Sequence, residues 1–304
     1  MSIRGLGYLQ VQATDVGRWR ELAIDALGFA EGSGPASEGL YLRMDERRHR
    51  LAVLPGGSDR VLAVGWEVRD QYALASVREA VEKAGIEVTV LSSAESAERN
   101  VEAAVAFTDP VGTPVEVFFG PVLDHSPLRT GLDQQFITGP QGMGHVVLPT
   151  PRPEEAVAFY CEVLGFRPRG AMKVAEAAGH PVRVRFLGIN ERHHSLAICP
   201  APHQGDPGLV HLMVEVDTLD AVGRALDNVN NLGFSLSSTL GRHTNDKMIS
   251  FYVRAPGGWD IEYGTDGLRV DERYYTAEEI TKDSYWGHDW SGSEPLAAFT
   301  LPEA

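Results

Sequence analysis

Cysteine is nearly absent: the 304-residue chain holds two, Cys161 in a helix-like stretch and Cys199 at the end of an apolar one. Two thiols cannot build a disulfide framework or a four-thiolate metal site, so both read as reduced, mostly buried side chains. Long apolar runs are missing as well. No window approaches the roughly 18 uninterrupted apolar residues of a membrane helix, and the opening MSIRGLGYLQ lacks the apolar centre of a signal peptide. A cytoplasmic protein without membrane contact is expected. Positive charge is short too. The formal net charge of −15 repels a phosphate backbone and no concentrated basic patch overrides it, so nucleic acid is not an expected partner. Neither the GxxxxGKS/T phosphate loop nor the GxSxG nucleophile elbow occurs.

What is present is an ordinary globular composition, 43% hydrophobic and 23% charged, in a chain long enough for two domains. A repeat organises it. Leu6 to Phe29, LGYLQVQATDVGRWRELAIDALGF, lies on Met143 to Phe166, MGHVVLPTPRPEEAVAFYCEVLGF, with Gly7 over Gly144 and Leu27-Gly28-Phe29 over Leu164-Gly165-Phe166. Both copies open with β-formers and continue with apolar residues at helical spacing: Trp19, Leu22, Ala23, Ala26 and Leu27 in one, Ala156, Phe159, Tyr160, Val163 and Leu164 in the other. Gly28 and Gly165 then close the helix cheaply in the left-handed conformation.

A second pair of segments sets Trp66-Glu67-Val68 over Val214-Glu215-Val216, with Leu74, Val77 and Val81 opposite Val222, Ala225 and Val229, and the helix-ending Gly85 over Gly233. Asp109-Pro110-Val111-Gly112 before Glu116 matches Ala255-Pro256-Gly257-Gly258 before Glu262, a turn feeding a strand. The fold class is therefore α/β (α+β): two domains, 1–130 and 141–304, each of two strand-helix-strands units that must pair to bury a sheet face. The join falls between Pro121 and Gly142, where the chain is polar and Gly/Pro-punctuated. The charged, aromatic tail after Gly267 finds no place in the repeat.

His145, His211 and Glu262 each sit in a β-rich apolar stretch, GHVVL, LVHLMVEV and WDIEY. Polar groups there are costly unless paired or bound to metal, and two imidazoles with one carboxylate form the ligand set of a mononuclear iron(II) oxygenase, which leaves positions open for substrate and O₂. The repeat supplies an internal control. The first copy has Tyr8 for His145 and Ala63 for His211, and only Glu116 keeps the acid of Glu262. Packing alone thus does not demand the histidines.

Over nearly its whole length the chain resembles the type I extradiol dioxygenases of the vicinal oxygen chelate superfamily (glyoxalase/bleomycin resistance-like), whose domains are paired βαβββ modules. The two-domain enzymes acting on 2,3-dihydroxybiphenyl and steroid-derived catechols are the nearest in pattern. GYLQVQATD, YLRMDERRHRLAV, FITGPQGMGHVVL, FYCEVLGF, NERHHSLAI, VHLMVEV and LGRHTNDKMISFYVRAPGGWDIEYG carry the resemblance. It implies His145, His211 and Glu262 as ligands of Fe(II), with Mn(II) as the alternative ion. It also implies His194 as the acid/base group acting on oxygen, His243 and Tyr252 as hydrogen-bond partners of the catecholate, and Phe186, Asn245 and Asp246 as the pocket wall and entrance. A homo-oligomer, an octamer, is implied as well. The chain departs from the pattern at Lys247, where biphenyl-type sequences often carry histidine.

These roles have independent physical sense. Metal binding lowers a hydroxyl pKa, so a catechol can bind through both oxygens, and O₂ beside it makes the encounter intramolecular. Iron can pass electron density between the two, which zinc or magnesium cannot. A histidine can take the catechol proton and return one later. His193, adjacent to His194, should point to the opposite strand face and is read as structural, while His49, His125, His180, His203 and His288 read as solvated. The expected reaction is meta-cleavage of a 3-substituted catechol, 2,3-dihydroxybiphenyl first, with steroid, naphthalene and alkyl catechols as alternatives. A different reaction of the same superfamily, and a metal-free aromatic-binding protein, are the competing readings.

Overall fold

The structure, a computed structural model, describes residues 3–177, 180–201 and 208–292. It holds two sheets with the same strand plan. In the first, Ile3–Ala13 and Arg60–Val68 run antiparallel at the centre. Each takes a parallel partner on its outer side, Leu51–Pro55 and Pro114–Pro121, followed by antiparallel strands toward the edges. In the second, His145–Thr150 and His211–Glu215 form the antiparallel centre, with Leu196–Pro200 and Asp260–Thr265 as parallel partners. Four βαβββ units in two pairs result, as the repeat requires.

The repeat extends to a backbone irregularity. Val16–Arg20 and Pro153–Ala158 begin as α-helices and widen into π-helical turns, Glu21–Ala26 and Phe159–Val163. There Leu27 N–H reaches Leu22 O and Leu164 N–H reaches Phe159 O, both i to i−5. One apolar core runs through both halves. Trp19 of the first packs 5.2 Å from Trp259 of the second, and Trp66 packs edge-on to Phe166 at 4.9 Å. Both tryptophans of the first half are fully buried, and residues of that size dominate such an interface.

The tail does have a place. Glu278–Ile280 adds to the outer edge of Arg167–Ala177, and Ser284–Trp286 adds to Leu236–His243 at the opposite edge of the same sheet. The chain between them is too short to span more than about 14 Å, so the ten-stranded sheet is curled and the tail ties its edges together. Two histidines expected in solvent are buried instead, His49 at 5% and His288 at 6% exposure. His125 is exposed, His203 lies outside the described residues, and so does the side chain of His180.

Candidate metal centre and active site

Three neighbouring strands of the curled sheet deliver one cluster. His145 opens its strand opposite Met213, Met213 lies opposite Glu262, and His211 is two residues before Met213 on the same face. Gly144 lets this happen: its φ is +148°, and a Cβ there would sit 1.8 Å from Met213 O. The Nε2 atoms of His145 and His211 are 3.0 Å apart, and each is 3.4 Å from Glu262 Oε2. Ligand atoms held about 2.1 Å from one ion at right angles are about 3 Å apart. The donor set therefore fits a divalent ion, and its chemistry, two imidazoles and a carboxylate, suits iron(II).

Electrostatics favour the same arrangement. Burial of Glu262 opposes its charge, yet His145, His211 and His243 hold the carboxyl well below its usual range. Burial pushes His145 down to about 4, against the pull of Glu262, so the ring is neutral at pH 7 as a ligand must be. The other Glu262 oxygen accepts from Ser250 Oγ at 2.7 Å and lies 3.5 Å from His243 Nε2.

His194 stacks face to face on His145 at 3.9 Å, so it borders the cluster without aiming into it. Burial, then neighbouring His145 and His193, hold it neutral, well below its ordinary pKa. His193 does not turn to an opposite face. It lies in the loop before Leu196–Pro200, buried, with Nδ1 3.0 Å from His194 Nδ1 and Nε2 2.8 Å from the Tyr275 hydroxyl. The hydrogen bonds fix the protons in turn. Tyr275 donates to Arg169 O at 2.5 Å, so His193 Nε2–H donates to Tyr275, and neutral His193 accepts at Nδ1 from His194. His194 Nε2 is left as a free base. The strand-alternation argument missed this because His193 is not in a strand.

His243 and Tyr252 meet at 2.7 Å, Nε2 to hydroxyl. Burial works against a charge on His243, but Asp283 and Glu262 outweigh it and raise its pKa well above the ordinary value. Asp283 comes from the tail: its Oδ1 is 3.2 Å from His243 Nδ1, and its Oδ2 accepts from Trp290 Nε1 at 3.1 Å. His288 stacks 4.0 Å from His243 with Nδ1 on Ser284 and Nε2 on Ser250 O. Sequence reasoning had no signal for Asp283, His288 or Trp290.

The three ligand candidates together with His194, His243, Tyr252 and Asp283 border one cavity. Phe186 lies 4.9 Å from His194, and Asn245 and Asp246 also line the space. The Asn245 Oδ1 is buried without a partner among the described residues. Val147, Met172, Val184, Ala197, Cys199 and Trp290 form an apolar side that the sequence did not single out. The cavity holds about 70 Å³, less than the roughly 150 Å³ of a cavity that takes a benzene ring, so a bound catechol has to extend toward the mouth. Lys247 turns outward, to Thr244 O and the Tyr285 hydroxyl.

Comparison with known proteins places the chain in a family. Residues 6–56 match the family model for dihydroxybiphenyl dioxygenase BphC D1, and residues 142–263 match that of the glyoxalase/bleomycin resistance protein/dioxygenase superfamily. An iron-dependent extradiol dioxygenase of Rhodococcus jostii (strain RHA1) is 42% identical over 302 residues, 97% of this chain and 100% of that protein. A biphenyl-2,3-diol 1,2-dioxygenase of Paraburkholderia xenovorans (strain LB400) is 39% identical over 95% of this chain and 96% of its own length. Among solved structures, BphC, a halotolerant catechol dioxygenase, superposes with a TM-score of 0.90 at 32% identity over 97% of both chains. The chain belongs to the extradiol ring-cleavage dioxygenases of the vicinal oxygen chelate superfamily.

Proposed function

We propose that this protein is an iron(II)-dependent extradiol dioxygenase that opens the ring of a 3-substituted catechol such as 2,3-dihydroxybiphenyl, next to rather than between the hydroxyls. The convergence of His145 Nε2, His211 Nε2 and Glu262 Oε2 at one end of a largely apolar cavity carries the reading. Bound iron(II) supplies the transfer of electron density from the catecholate to O₂. The rest falls to the protein. His194 Nε2, left unprotonated by its tie to His193, takes a proton from the substrate and later returns one to oxygen. The His243–Tyr252 pair offers protons to the substrate oxygens and stabilises charge there. Asn245 supplies an open acceptor, and Phe186 with the apolar wall orients the ring and excludes water.

Apolar area is worth about 25 cal/mol per Å², so a phenyl substituent gains more than a methyl. Pocket differences of one methylene are worth only about 1 to 3 kcal/mol, which leaves naphthalene, steroid and alkyl catechols as the substrates to set against it. Anaerobically iron-loaded enzyme given such a panel should take up O₂ and release a yellow ring-opened product. A muconate, from cleavage between the hydroxyls, would refute the assignment. We place the enzyme in the cytoplasm as a homo-oligomer, an octamer by resemblance, testable by sedimentation. No helix of the described residues is long and apolar enough to cross a membrane.

A further inference from the structure

The first half of the chain keeps a cup where the second half has its active site. Cross-strand register fixes the equivalences: Leu9 pairs with Leu51 as Val146 pairs with Leu196, and Tyr41 pairs with Ala52 as Phe186 pairs with Ala197. Gln10, Tyr41, Ala52 and Leu54 thereby stand at the positions of Val147, Phe186, Ala197 and Cys199. All four line a cavity of about 320 Å³ in the first half, with Glu98 and Arg99 at its other side. That volume is within the range of small-molecule sites, roughly 300 to 1,000 Å³.

The cup also holds hydrogen-bonding groups with capacity to spare. Gln10 is 6% exposed, and its side-chain amide forms no hydrogen bond with a described residue, so it is open to a molecule in the cup. Tyr41 is 5% exposed, and its hydroxyl oxygen accepts the Ala36 N–H at 3.1 Å while its own proton goes to no described group. Arg99, by contrast, is spent: its Nε and one terminal nitrogen hold Glu116 Oε1 at 2.8 and 2.7 Å, and the other terminal nitrogen donates to Glu95 O. Glu98 lies 3.7 Å from the same guanidinium. Two carboxylates against one guanidinium leave no net positive charge for an anion.

We propose that this N-terminal cup is a second small-molecule site, which takes a neutral hydroxylated aromatic. The ring lies between Tyr41 and the Ala52–Leu54 wall. Its hydroxyl accepts from Tyr41 and donates to the Gln10 carbonyl, while the anionic ring-opened product of the catalytic site is turned away by charge. The inference rests on the cavity of the first half and not on the metal centre.

Catechol under anaerobic conditions, where it is not turned over, is the probe. Calorimetric titration of the iron-loaded, full-length enzyme should give two molecules bound per chain, and the metal-free protein should keep at least the N-terminal one. Leu54→Trp should fill the cup and remove that equivalent. Gln10→Leu adds no bulk and should weaken the N-terminal Kd roughly threefold to tenfold, the worth of one neutral hydrogen bond. In both variants kcat/KM for a catechol should stay within about twofold of wild type. One catechol per chain in the wild type, or an N-terminal equivalent unmoved by both substitutions, overturns the proposal. Loss of catalytic-site binding alone would bear on the metal reading and leave this one standing.

Discussion

Glu116 and Glu262 hold equivalent places in the two halves, each opposite the central strands and each buried, at 4% and 1% exposure. Their surroundings diverge. Glu116 is tied to the Arg99 guanidinium and the Tyr8 hydroxyl, and its charge is neutralised by side chains alone. No lysine or arginine among the described residues bridges Glu262, which faces His145, His211, His243 and Ser250. A buried carboxylate must be compensated. The first half compensates from within, whereas in the second the charge on His243 is shared between Glu262 and Asp283, which leaves a cation from solution to complete the balance. The tail sharpens the contrast, since it adds a strand to each edge of the second sheet, whereas the two sides of the first are joined by single loop contacts, Val122 N–H to Asn100 O and Arg48 N–H to Val122 O.

The largest effect should come from breaking the cluster. His211→Ala, His145→Ala or Glu262→Ala is expected to abolish iron binding, measured by elemental analysis, and with it all O₂ uptake. The matched substitutions in the first half, Tyr8→Phe and Glu116→Gln, should leave a full iron atom per chain. Glu116→Gln should instead cost roughly 1–3 kcal/mol of stability by weakening the charged hydrogen bonds to Arg99, which Glu98 and Glu95 O still hold. Full iron and normal turnover in His211→Ala would end the ligand assignment. Next in size, His194→Gln, His243→Gln and Tyr252→Phe should keep iron and lower kcat by at least about 10²-fold, the scale of a positioned acid/base group. Wild-type rates in any of them would remove that residue from the chemistry.

Much of this contrast was readable in the residues. Apolar periods of two and 3.6 gave the units, and the repeat showed that His145 and His211 are not needed for packing, since Tyr8 and Ala63 serve at the same places. What could not be read has specific causes. Edge strands of three residues such as Glu278–Ile280 carry no period, so the tail and its Asp283, His288 and Trp290 stayed invisible. His49 stands among Arg47, Arg48 and Arg50 and looks solvated, but Arg50 is fully buried on Asp45 and takes its neighbour inward. Register makes His49 the counterpart of His194. Here the charged neighbours, which usually mark a surface, mark an internal ion pair.

A smaller effect is expected where the halves differ in what holds this shared histidine. In the second half His193 Nδ1 accepts from the His194 Nδ1–H, whereas His49 Nδ1 meets the Asn100 amide at 3.1 Å. His193→Phe should lower kcat about tenfold with iron content and KM little changed, because His194 loses the partner that keeps Nε2 free. His193→Gln, whose amide oxygen accepts a hydrogen bond, should recover most of the rate. Equal rates in the Phe and Gln variants would show that His193 only packs.

The smallest effect tests His49 itself, through stability. Burial, then the charge of Arg50, lowers its pKa from 6.5 to about 4 in the folded chain. The unfolded chain therefore binds the proton more tightly. The stabilisation is fully present above pH 6.5 and is lost as pH falls toward 4, which amounts to about 2 kcal/mol between pH 7 and pH 5. Urea unfolding of iron-loaded wild type and His49→Gln at both values should show the variant losing about 2 kcal/mol less on acidification. His194, buried beside the metal cluster, is present in both proteins and cancels from the difference. An identical pH response in the two would mean that His49 is solvated in both states, as its charged neighbours suggest, and that the first half does not keep a buried imidazole at this position.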